Sequence, residues 1–274
     1  MPPVIINHDR CNADGICTEV CPRKLIKFNA QESKPRPIPE AAELCINCGH
    51  CLGVCPSGAI SLNGITAQDC AETEKSRWPG YNELDLLLRA RRSIRVYQDK
   101  PVDRQILERL LNTCRYAPSG SNKQPVNWII AADKDRIHML GRLVIDWMKD
   151  AVQSKQPVAP QWPLASFIQG WENGQDVIFR NAPVVLITHA NKISSLPSES
   201  CVIAMTYFDL AASSMGLGAC WVGFLMIAAS LHPPIKTALG IPPDHELYGA
   251  MVAGYPQYPY KKIPERNQPH IVWW

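Results

Sequence analysis

The sequence has no run of about 18 apolar residues, so it carries no stretch for a membrane-spanning helix. Its opening residues, MPPVIINHDR, lack the apolar core of a secretory signal. Charge of either sign is scarce: charged residues make up 19% and the formal net charge is only +3, too small an excess to hold a nucleic acid. No G-x-G-x-x-G dinucleotide turn occurs. The chain is not poor enough in apolar residues to stay unfolded, since 46% are hydrophobic. These absences exclude membrane, nucleic-acid and disordered classes. They leave an expectation of a cytoplasmic globular protein, whose 274 residues suit one or two domains.

What is present is cysteine, 11 in all, and unevenly placed. Seven lie between Cys11 and Cys55; Cys70, Cys114, Cys201 and Cys220 are scattered. A disulfide scaffold would spread them, and a chain with no export signal sits in a reducing compartment, so clustered thiols mean metal or redox chemistry. Two stretches repeat: Cys11-Asn-Ala-Asp14-Gly-Ile-Cys17-Thr-Glu-Val-Cys21-Pro22 and Cys45-Ile-Asn-Cys48-Gly-His-Cys51-Leu-Gly-Val-Cys55-Pro56. Adding 34 to each position of the first gives the second without insertion or deletion, which predicts a pseudo-twofold pair of units.

The second copy reads C-x2-C-x2-C-x3-C-P. Such tight spacing wraps three thiolates around one iron–sulfur cluster and sends the fourth to its neighbour. Zinc wants separated pairs instead. The crossing predicts one cluster on Cys45, Cys48, Cys51 and Cys21, and another on Cys11, Cys17 and Cys55 with position 14. Residues 4–63 resemble a bacterial two-cluster ferredoxin. At position 14 the repeat demands Cys and supplies Asp. Asp14 either ligates a 4Fe-4S cluster, or marks a 3Fe-4S cluster that lacks one iron, or is a turn residue beside Gly15, because oxygen suits sulfide-bound iron poorly.

The expected organisation is an iron–sulfur domain over residues 1–63, a linker over 64–82 and a larger domain over 83–274. Pro35, Pro37 and Pro39 are expected to form a loop between the repeat halves. In the larger segment Asn82 is expected to cap a helix bearing Leu84, Leu87 and Leu88, and Asp103 a second over 103–115. Strands are expected at Trp128–Ala132, Val184–Thr188, Ala219–Phe224 and Leu247–Ala253. A helix opening at Ser198 is expected to end at Gly216. Helices outnumber strands, and the order is α+β. The scattered cysteines are expected to be small buried apolar residues.

Three polar motifs interrupt this frame. Arg91-Arg92-Ser93-Ile94-Arg95 places guanidiniums around a hydroxyl, which suits a phosphate, although a solvated basic helix end gives the same pattern. Ala117-Pro118-Ser119-Gly120-Ser121-Asn122-Lys123-Gln124-Pro125 offers donors and acceptors on a loop. Gly216-Leu217-Gly218-Ala219-Cys220-Trp221-Val222-Gly223-Phe224 runs from helix to strand.

In this order, with Gly254-Tyr255-Pro256 and the basic Lys261–Arg266 stretch, the motifs resemble the nitroreductase family of FMN flavoenzymes over about residues 83–274. The resemblance implies an α+β sandwich, with a central, mainly antiparallel sheet flanked by helices, following a ferredoxin-like iron–sulfur domain. It implies that Arg91, Arg92, Ser93, Arg95, Lys262 and Arg266 hold FMN. Pro118, Ser119, Gly120, Asn122 and Gln124 would come from the other subunit of a homodimer. Val222 and Gly223 would lie near flavin N5. Trp-rich residues 146–180 match no motif and either cover the flavin or form a surface helical insertion.

One-electron clusters fused to a flavin make a converter to two-electron chemistry. The expected function is an FMN-dependent reductase. Reduced ferredoxin, another carrier or NAD(P)H would feed it, and a small organic nitroaromatic, quinone or activated alkene would be reduced. The alternatives are reductive dehalogenation, a reverse-running oxidation, and a non-catalytic electron carrier or redox sensor.

Overall fold

A computed structural model describes residues 3–28 and 33–274. The chain divides into two compact units, one up to Trp78 together with Ser121–Lys123, the other comprising Pro79–Gly120 and Gln124–Trp274. Residues 64–82 hold single 3-10 turns at Ala67–Asp69 and Lys75–Arg77.

The first unit runs β1 (Val4–Ile6), α1 (Ile16–Val20), β2 (Ile26–Phe28), β3 (Pro35–Pro37), α2 (Ala41–Leu44), α3 (His50–Val54) and β4 (Ile60–Leu62). β1 pairs antiparallel with β4, and β2 with β3. The expected Pro35–Pro39 loop is therefore corrected, because Pro35 and Pro37 sit in a strand. Proline removes a ladder donor, and a two-stranded sheet tolerates it because both strands are edges. The repeat is built into the backbone. α1 and α3 each follow a left-handed glycine, Gly15 at φ 74° and Gly49 at φ 75°. Ala13 and Asn47, the equivalent positions before them, share positive φ at 61° and 53°. A side chain is strained in this region, and glycine is not, so each turn can bend sharply into its helix.

The second unit runs α4 (Tyr81–Ala90), α5 (Arg104–Cys114), β5 (Asn127–Ala131), α6 (Lys134–Gln153), α7 (Leu164–Glu172), β6 (Val184–Asn191), α8 (Pro197–Ser214), β7 (Gly218–Trp221), α9 (Gly223–Leu231), α10 (Pro233–Ala238) and β8 (His245–Gly254). The sheet order is β5-β6-β8-β7, and every pairing is antiparallel. Alternation along β6 supplies two cores. Val185 and Ile187 pack with Leu140, Val144 and Trp147 of α6 and Leu225 of α9. Val184 and Leu186 pack on the other face with Leu107 and Leu110 of α5 and Met205 and Phe208 of α8. Sheet between helical layers is the expected sandwich.

Asp103 caps α5 as expected, its side chain accepting from Gln105 N at 2.7 Å. Asn82 does not cap α4; the helix begins at Tyr81, with Gly80 at the cap. Gly223 and Phe224 begin a helix, not the end of a strand. Trp147 is 1% exposed, so the 146–180 region enters the core and is not a surface insertion. Cys114, Cys201 and Cys220 are buried as expected, whereas Cys70 is exposed.

Backbone hydrogen bonds join the Arg91–Arg95 stretch and the residues after it to the Gly216–Phe224 and Gly254–Pro256 segments. Ile94 N donates to Ala219 O at 3.0 Å, Gln98 N to Tyr255 O at 2.9 Å and Gln257 N to Val96 O at 3.0 Å. Ile94 is buried against Gly218, where any Cβ would collide with its side chain. Gly218→Ala should therefore displace Ile94 and cost about 1–3 kcal/mol. Urea unfolding of the flavin-free protein measures this, and an unchanged midpoint would show that the seat is slack.

Candidate functional site

The first unit gathers the cysteine positions into two groups. Cys17 is buried, and burial, with Cys11, Asp14 and Cys55 beside it, pushes its thiol up. Burial pushes the Cys51 thiol up to about 11, with Cys48, Cys21 and Cys45 adding to this and the Leu52 backbone opposing it. Each group thus draws on both repeat halves. Cys21, Cys45, Cys48 and Cys51 line one pocket with the apolar Val4, Ile26 and Leu62. His50, exposed at the start of α3, stands at the same wall.

The surrounding backbone follows the repeat. Leu25 N donates to Cys21 Sγ, and Ala59 N to Cys55 Sγ, both at 3.3 Å. Amide donors aimed at sulfur favour thiolate and tune a cluster's potential. Among the described residues no three His, Cys, Asp or Glu side chains could hold a single metal ion. Thiolates of a cubane, each on its own iron, need not converge that closely. Four thiols lining one pocket, three of them at C-x2-C-x2-C spacing, fit an iron–sulfur cluster. Burial and the neighbouring thiols oppose ionisation of Cys17 and Cys51, and bound iron would reverse that. Asp14 is exposed, and its Oδ1 accepts from Ile16 N at 3.1 Å, a turn into α1. The position matches Cys48 of the second repeat and lies beside Cys17.

In the second unit a polar pocket of about 230 Å³ is lined by Arg91, Arg92, Ser93, Arg95, Tyr260 and Arg266. The stretch from Arg91 to Arg95 follows the C-terminal end of α4, where cations also complement the helix dipole. Converging guanidiniums go beyond a solvated helix end: they present forked donors to one volume and suit a phosphate dianion. The residues present thus fit the phosphate of a flavin nucleotide. Lys262 lies exposed in the tail and outside the lining. Val222 caps α9 and Gly223 begins it, also outside that pocket. Beside them Phe224 meets Trp162 edge-on at 5.6 Å and Phe167 at 4.9 Å, so the Trp-rich region does reach this segment.

The polar loop holds itself in shape. Gln124 N donates to Ser119 Oγ at 2.9 Å, and Ser121, Asn122 and Gln124 all adopt left-handed φ. Asn122, grouped with the first unit, donates from Nδ2 to the carbonyls of Ile46 and Asn47. None of Pro118, Ser119, Gly120, Asn122 or Gln124 lines the arginine pocket.

Residues 88–255 match the model of the nitroreductase family, well over half of the chain. The chain belongs to the nitroreductase family. Residues 9–59 match the 4Fe-4S dicluster domain. The nitrobenzene nitroreductase of Ectopseudomonas oleovorans is 26% identical over 199 residues, spanning 63% of this chain and 86% of that protein. The FMN-bound nitroreductase of Bacteroides fragilis NCTC 9343 shares the fold with a TM-score of 0.56 at 23% identity, covering 70% of this chain and all of that one. A nitroreductase with bound FMN from Desulfitobacterium hafniense DCB-2 gives a TM-score of 0.55 at 19% identity over 71% of this chain.

Two residues of this region carried no motif. Tyr260 walls the arginine pocket from the tail, between the Gly254-Tyr255-Pro256 segment and Arg266. Asp209 lies on α8 among Met205, Phe208 and Ala212, and its Oδ2 accepts from Arg91 Nη1 at 3.0 Å. Its Oδ1 is buried with no hydrogen-bond partner among the described residues, an arrangement that costs about 1–3 kcal/mol. A lone acid on an apolar helix stripe was the signal available for it.

Replacing Asp14 by Cys should complete the repeat. The anaerobic variant should hold about eight irons and change the EPR signal of one cluster only. Spectra and iron contents identical to the wild type would reduce Asp14 to a turn residue.

Proposed function

We propose that this chain is an FMN-dependent reductase whose two iron–sulfur clusters relay single electrons to the flavin for two-electron reduction of a small organic acceptor. Its family and its dicluster domain make it an oxidoreductase with FMN and iron–sulfur clusters as cofactors. The observation that carries the reading is that one chain holds both a guanidinium-walled pocket and two thiol groups drawn from crossed repeats, each with one buried cysteine. FMN, when bound, supplies the exchange between one-electron and two-electron steps.

The chain's own residues do the rest. Arg91, Arg92, Arg95 and Arg266 would neutralise and orient the phosphate, and Lys262 would add a cation from the tail. The backbone N–H groups of Val222 and Gly223 would hold the flavin near N5. Trp162, Phe167 and Phe224 offer an apolar wall that excludes water and lets a flat acceptor stack. Nitroaromatics, quinones and activated alkenes have that shape, and the similarity to a nitrobenzene nitroreductase supports the first of them. Reduced ferredoxin is the proposed donor, because clusters accept single electrons; NAD(P)H is the alternative for direct hydride delivery.

The working form is a homodimer. α4 buries none of its residues, leaving Tyr81, Leu84, Leu86 and Leu88 exposed, and the tail exposes Ile271, Val272, Trp273 and Trp274. Apolar surface of this extent needs a cover. The Pro118–Gln124 loop would serve the flavin of the other copy.

Arg92→Ala should lose FMN by at least about tenfold in affinity while keeping the thermal midpoint of the flavin-free protein. Full retention of FMN would remove the phosphate assignment. Light scattering should give twice the 30.6 kDa chain mass. A monomer holding stoichiometric FMN would contradict the shared site. Anaerobic reoxidation of the reduced flavin by nitrobenzene, a benzoquinone and an enone tests the acceptor class; reoxidation by none of them favours an electron carrier instead.

A further inference from the structure

We propose that Asp209 is a positioning residue for the flavin phosphate, acting through Arg91. The proposal rests on the assignment of the arginine pocket to FMN. Arg91 closes the C-terminal end of α4 and walls that pocket, and its Nη1 meets Asp209 Oδ2 at 3.0 Å across 118 residues of sequence. The two side chains differ in burial, 31% exposed for Arg91 and 9% for Asp209. The carboxylate is thus the more deeply buried member, on α8 with Phe208 and Ala212, and the guanidinium the more exposed one.

A guanidinium is a planar fork. The single bond from Nη1 to a buried carboxylate anchors one nitrogen of the fork, restricts its rotamers and leaves the remaining donors for an anion. Without that hold, a long, partly exposed side chain samples many rotamers and must be ordered again at each binding event. Burial pushes the Asp209 carboxyl up, and the Arg91 guanidinium pulls it back down. The second oxygen, Oδ1, is buried without a partner among the described residues. An apolar residue would pack this α8 stripe without that penalty, so packing does not explain an acid here.

The full-length protein, stripped of flavin, is titrated with FMN and with riboflavin, which lacks the phosphate. Asp209→Asn keeps the shape and removes the charge. The expected result is a roughly tenfold weaker FMN Kd with riboflavin unchanged. Arg91→Ala should show the same selective loss, and adding Asp209→Asn to it should cost nothing more, because both act through one contact. Arg91→Lys keeps the charge but not the fork, and should also lose discrimination. It carries the test if Asp209→Asn does not fold. FMN affinity that survives Asp209→Asn but falls in Arg91→Ala overturns the role of Asp209 and leaves the pocket standing. Additive losses in the double variant, or an Arg91→Lys variant that discriminates normally, overturn it equally. FMN affinity untouched by Arg91→Ala sinks the pocket assignment and the proposal with it.

Discussion

The seating of Ile94 against Gly218 is the contact on which the larger unit's chemistry depends. It binds the segment after α4 to β7 through the Ile94–Ala219 hydrogen bond, and residues 96–98 continue onto Tyr255–Gln257. That join aims the Arg91–Arg95 stretch into one volume with Tyr260 and Arg266. A bare helix end would splay the same cations into water, where each is worth little. Order imposed by a buried isoleucine turns them into a site. The Arg91–Asp209 pair then ties the site to α8, on the far side of the chain in sequence.

The smaller unit solves a different problem by symmetry. Short helices, left-handed glycines and amide-to-sulfur bonds recur at equivalent positions of the two halves. Each half lends a thiol to the other's group, so neither group is complete within one repeat. Its core is small, built from Val4, Ile26, Leu52, Ile60 and Leu62 around Cys17 and Cys51. In a unit with so little apolar area, cluster binding is also folding free energy.

Much of this was legible in the sequence, because repeats and motifs speak through spacing. The crossed grouping of cysteines follows from the unbroken 34-residue offset, and the Asp103 cap and the strands at 127–131 and 184–191 from short-range pattern. The misses have physical reasons. The short apolar run ending at Phe224 has no resolvable period and fits a strand, yet Phe224 lies in the first turn of α9. Asn82 lost the cap because Tyr81 already lies in α4. Pro35 and Pro37 read as loop, yet a two-stranded ribbon accepts them. Asp209 and Tyr260 meet residues distant in sequence; the lone acid on the α8 stripe marks Asp209 locally but does not name Arg91 as its partner, and Tyr260 carries no local signal.

In the proposed reaction single electrons enter through the clusters and leave the flavin in pairs. Stopped-flow reduction by reduced ferredoxin, comparing the wild type with a Cys48→Ser, Cys51→Ser double variant that retains FMN, tests it most directly. The account predicts rapid flavin bleaching in the wild type and a loss of at least about a hundredfold in the variant, with hydride-driven reduction by NADH unaffected where it occurs. Equal bleaching rates by ferredoxin in both proteins would contradict it.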